Sequence, residues 1–80
     1  MSYTALENVT KIRAEQRRYG SGLHVWEQTV IDVTERSPGG IVHETTIGFR
    51  FADPALGALV AKAINAAVSE YRTSQEEKAA

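Results

Sequence analysis

Apolar and polar positions alternate in three distinct ways along the chain, and the clearest signal lies at its C-terminal end. Within Asp53–Tyr71, Leu56, Leu59, Val60, Ala63, Ile64, Ala67 and Tyr71 recur at spacings of three and four, the period of one helix face. Asp53 is a good N-cap, because its carboxylate accepts from the free N–H groups of the first turn. Pro54 suits the first helical position, where an N–H is not needed. The pattern predicts an amphipathic C-terminal helix. Opposite the stripe stand Ala58, Ala61, Asn65 and Ser69, and Lys62 carries the only charge between Pro54 and Ser69. A helix so poor in charge tends to be covered on more than one side.

Two stretches in the middle of the chain read as strands. His24–Thr34 is rich in Val, Ile, Thr and Trp, and Ile41–Phe51 in Ile, Thr and Phe. Between them, Glu35-Arg36-Ser37-Pro38-Gly39-Gly40 is a turn cluster, so a hairpin is expected. Alternation suggests a register with Val33 opposite Ile41, Ile31 opposite His43, Val25 opposite Phe49 and Trp26 opposite Gly48. One face, with Leu23, Val25, Ile31 and Val33, then suits the helix stripe. The other carries His24, Trp26, Gln28 and Val30, with the Trp26 ring shielding the glycine backbone.

The N-terminal segment, Tyr3–Tyr19, supports two readings. Thr4 with Glu7 matches a capping box, Ala5, Leu6, Val9, Ile12, Gln16 and Tyr19 share one side of a helical wheel, and Gly20 is placed to end it. The β-branched Val9, Thr10 and Ile12 favour strand. A helix is the expectation, giving the order helix, strand, strand, helix. The strand reading gives a three-stranded meander with a C-terminal helix. Both are α+β folds in a single domain over residues 1–72, and the polar tail over residues 73–80 is expected to fray.

Composition narrows the chemistry. The chain has 80 residues, near the lower limit for an independent core, with 42% hydrophobic and 24% charged residues. Nine basic and ten acidic residues leave a net charge of −1, so no global field draws the chain to nucleic acid or membrane. The absence of cysteine removes disulfides, thiolate metal sites and cysteine nucleophiles. No apolar run is long enough to span a bilayer, and a cytoplasmic location is expected.

Enzymatic constellations are nearly absent, and no cofactor is expected. Gly20-Ser21-Gly22 lacks the downstream glycine and lysine of a phosphate loop, and no elbow motif surrounds Ser21. His24 and His43 fall on opposite hairpin faces, as do Glu27 and Glu44, which disfavours a metal site or a carboxylate pair. Lys11, Arg13, Arg17 and Arg18 form a basic cluster, read either as a solvated face or as a site for phosphate or an acidic partner. Trp26, Val30, His24 and Arg50 have the composition of a protein-contact hot spot. Ala58, Ala61 and Asn65 would admit a close backbone approach, and a second copy of the chain is the expected occupant, making the protein a homodimer.

Helix, strands and a closing helix resemble double-stranded RNA-binding domains in order. Strands followed by an alanine-rich helix also resemble the small three-stranded modules of plant transcription factors and phage integrases. The helix starts Pro54-Ala55-Leu56, without the lysine cluster of the RNA-binding family, and no family is assigned. The expected function is non-catalytic binding of a partner protein, as an inhibitor or adaptor of the kind encoded by phages and mobile elements. The alternative is a nucleic-acid- or nucleotide-binding module using the basic cluster.

Overall fold

Four elements follow one another in the computed structural model, which describes residues 5–79: β1 (Val9–Ser21), β2 (His24–Arg36), β3 (Val42–Phe49) and α1 (Pro54–Ala79). The strands form one antiparallel sheet in the order β1-β2-β3, and α1 packs on one face of it, over β1 and β2. The fold is α+β, in its three-stranded form.

The segment expected to be an N-terminal helix is therefore a strand from Val9 onward. Tyr3 and Thr4 lie outside the described residues, and the Glu7 N–H donates to the Glu35 carboxylate at 2.9 Å. Strand wins here for a tertiary reason. A two-stranded hairpin is marginal in water, and β1 satisfies the second edge of β2 along its whole length. Gly20, expected to stop a helix, instead ends a strand. Its φ of 89° suits glycine, and a side chain there would collide with the His24 carbonyl across the tight Gly22-Leu23 turn.

The β2–β3 hairpin forms, but four residues away from the expected register. Ile31 lies opposite Ile47, Val33 opposite Thr45, Thr29 opposite Phe49 and Val30 opposite Gly48. The turn is tighter than the composition suggested. The Ser37 N–H bonds the Ile41 carbonyl at 2.9 Å, and the Ile41 N–H bonds the Ser37 hydroxyl at 3.1 Å. Glu35 and Arg36 consequently stay in the strand. A shift of four preserves side-chain parity, so each residue keeps its face and changes its partner. Gly48 thus lies beneath Gln28, and Trp26 finds a different neighbour.

Helix α1 begins as the sequence dictates, with the Ala55 N–H on the Asp53 carboxylate at 3.0 Å. Its buried face is offset from the expected apolar stripe and keeps only Val60 and Ile64 of it. Gly57 and Ala61 are buried, Val60, Ile64 and Val68 half-buried, while Leu56 and Leu59 are 48% and 63% exposed and Tyr71 is exposed too. The small residues let the helix approach closely: a side chain at Gly57 would strike the Thr29 hydroxyl and the Phe51 ring. Asn65 bonds the backbone of Ala14 on β1. Ala61 and Asn65 are thus engaged by the chain's own first strand, which corrects their assignment to a contact between copies; Ala58 is exposed. The tail expected to fray is helical through Ala79.

Candidate binding face on the open side of the sheet

Strand alternation sorts the side chains to two faces. The helix side holds Ala14, Gln16, Thr29 and Val33; Thr29 donates to the Gln16 amide oxygen at 2.7 Å. The open side holds Lys11, Arg13, Glu15, Arg17 and Tyr19 from β1, Trp26, Gln28, Val30, Asp32 and Thr34 from β2, and Glu44 and Thr46 from β3. Arg50 follows directly after β3. The helix leaves this side bare.

At one end of the open face, Tyr19 and Trp26 are cross-strand partners, and their rings stack with centroids 4.6 Å apart. The Arg50 guanidinium lies 4.9 Å from the Trp26 ring centroid, within cation–π range. Tyr19, Trp26 and Arg50 therefore form one preorganised cluster. Trp26 and Arg50 were both expected on a contact surface, and His24 sits exposed beside them at the start of β2. Val30 was expected there too. At 2% exposure it is closed off among its register neighbours and cannot touch a partner.

The other end is a charge lattice. Arg13 pairs with Asp32 at 3.5 Å and Glu15 at 3.7 Å, and Arg17 pairs with Glu15. The Thr46 hydroxyl donates to Asp32 at 2.8 Å. That bond, with Arg13 beside it, holds the Asp32 carboxyl below the usual carboxylate range. Glu15, followed by Tyr19, raises the Arg17 guanidinium above its ordinary value, so it stays charged. The basic cluster is thus divided: Lys11, Arg13 and Arg17 share the open face, whereas Arg18 is on the helix side opposite Glu27. With Arg50 the open face carries four cations, against the carboxylates of Glu15, Asp32 and Glu44.

Tyr19 joins the cluster only because β1 is a strand. The odd-numbered run Lys11, Arg13, Glu15, Arg17, Tyr19 was the signal that its residues share a polar face. His24 and His43 occupy opposite faces, and among the described residues no group of three His, Asp or Glu side chains is placed to hold a metal. Among the same residues, no helix is long and apolar enough to cross a membrane. No protein-family model, no characterised protein and no solved structure matches this chain.

Proposed function

We propose that this protein acts without catalysis, by binding a partner protein through the open sheet face, in the manner of a small inhibitor or adaptor. The observation that carries the reading is the Tyr19–Trp26 stack capped by Arg50. Tyr, Trp and Arg are the residue types that dominate binding energy at protein interfaces, and here they are fixed before any partner arrives. The mixed charge of the surrounding lattice supports a protein partner over a polyanion, because Glu15 and Asp32 already neutralise Arg13 and Arg17.

A nucleic-acid reading has one observation in its favour: Lys11, Arg13, Arg17 and Arg50 share a face with two stacked aromatic rings. The two readings separate by experiment. Pull-down from host lysate, with and without nuclease, is compared between wild type and Trp26→Ala with Arg50→Ala. A nuclease-resistant partner lost in the variant supports protein binding. A gel shift at ~50 mM salt that fades steeply as salt rises supports the nucleic-acid reading instead.

A further inference from the structure

The helix side of the sheet is only partly covered. α1 lies over β1 and β2, and Asn65 reaches the backbone of Ala14 on β1. At about 100° per residue, Leu56, Val60 and Ala63 fall on the flank of α1 opposite Asn65, which is the flank toward β3. Beside it, β3 presents Ile47 and Phe49 on the helix side, and the Phe49 ring centroid lies 6.4 Å from that of Phe51. Leu56 and Phe49 are 48% and 43% exposed. These six side chains make one apolar strip, in which the flank of α1 is a ridge and β3 the floor of a trough beside it.

The surface left bare is more than a compact chain of this size carries alone. The protein exposes 6510 Å², whereas a compact monomer of 8.8 kDa exposes about 4,800 Å². Each copy in a stable dimer buries about 800–1,000 Å². The excess of about 1,700 Å² covers that need even with the polar last turns of α1 set aside. Among the described residues, the apolar side chains that the single chain buries are Ala14, Val30, Val33 and Ala61, a core of two valines and two alanines.

We propose that a second copy of this chain covers the strip, with the α1 flank of each copy lying along β3 of the other about a twofold axis. Besides the area, two observations choose this occupant. None of the six side chains is charged, and homodimer interfaces are more apolar than those made with foreign partners. The strip also holds a ridge and a trough side by side, so the patch fits a rotated copy of itself, as a twofold contact requires. The open face, with its mixed charges, lies on the other side of the sheet and stays available to a foreign partner. The dimer would carry two Tyr19–Trp26–Arg50 clusters, one on each outer surface.

Light scattering should find wild type at twice the monomer mass of 8.8 kDa. Leu56→Glu and Phe49→Lys each put an unpaired charge into both halves of the contact, and each should raise the dissociation midpoint about a hundredfold or more. An equal mixture of the two variants should recover a dimer, because one half then pairs the new carboxylate with the new ammonium and the other half is wild type. A variant that had only misfolded would not be rescued in this way. Ala58→Glu, exposed on the Asn65 side of the helix, should leave the dimer intact. Monomeric wild type at all concentrations, dimers that persist in both variants, a mixture that stays monomeric, or dissociation by Ala58→Glu would each overturn the proposal. None of these readouts involves Trp26 or Arg50, so they stand apart from the test of the open face.

Discussion

Asn65 holds the backbone of Ala14 at both ends of one peptide-like clasp: the Ala14 N–H donates to Oδ1 at 2.9 Å, and Nδ2 donates to the Ala14 carbonyl at 2.6 Å. A side-chain amide has the same donor and acceptor as a neighbouring strand, so one residue of α1 stands in for a fourth strand at this point. The contact fixes the helix along β1 and sets its rotation, turning Gly57, Ala61, Ile64 and Val68 toward the sheet.

Asn65→Ala removes both bonds and should cost about 1–2 kcal/mol in urea unfolding, since each such bond contributes about 0.5–1.5 kcal/mol net. Hydrogen exchange at the Ala14 amide should accelerate in the same variant. Unchanged exchange would show that the clasp is not what protects this edge.

Gly57→Ala tests how closely the helix approaches. Helix propensity alone favours alanine by about 1 kcal/mol. The added methyl would meet the Thr29 hydroxyl and the Phe51 ring, and overpacking typically costs about 1–3 kcal/mol. Net destabilisation in a denaturant melt is expected. A more stable variant would mean that the helix is held less tightly than the geometry shows.

Ala61→Glu and Leu59→Ala should behave oppositely to what their sizes suggest. Ala61 is 5% exposed against the sheet, so a carboxylate there would be buried without a partner and should unfold the domain. Leu59 is 63% exposed, and its truncation in the single chain should change stability by under ~0.5 kcal/mol. Circular dichroism with urea titration reads both. A cost above ~2 kcal/mol for Leu59→Ala would place that side chain in a core.

Asp32 should leave a signature on the acid side. Its folded-state carboxyl titrates below the unfolded value, chiefly through the Thr46 hydroxyl. Its ionised form therefore stabilises the fold above the usual carboxylate range, and that contribution is lost as pH falls through the lowered folded value. The urea midpoint of wild type should drop further than that of Asp32→Asn between about pH 7 and about pH 2.5. Equal drops would show that the Thr46–Asp32 bond adds nothing to stability.

Local signals carried the elements whose cause is local. The Asp53-Pro54 start of α1, the turn at Ser37–Gly40 and the existence of β2 and β3 follow from a side-chain cap, fixed φ angles and β-branched residues, all set within a few positions of the chain. Side-chain parity on β2 and β3 was legible for the same reason, and it placed Trp26 and Arg50 on one face. Three matters were decided only in the tertiary structure. β1 is a strand because β2 has a second edge to fill, which outweighs a helical wheel that Ala5, Leu6, Val9 and Ile12 could equally have satisfied. The hairpin register depends on Ser37 closing a turn shorter than its composition implies, a hydrogen-bond choice that alternation cannot see because a shift of four leaves every face unchanged. The helix turns Gly57, Val60, Ala61, Ile64 and Val68 to the sheet and leaves Leu56 and Leu59 of its stripe exposed because close approach, through Gly57 and the Asn65 clasp, is set by what the facing sheet presents, and hydrophobic periodicity measures only the residues of the helix itself.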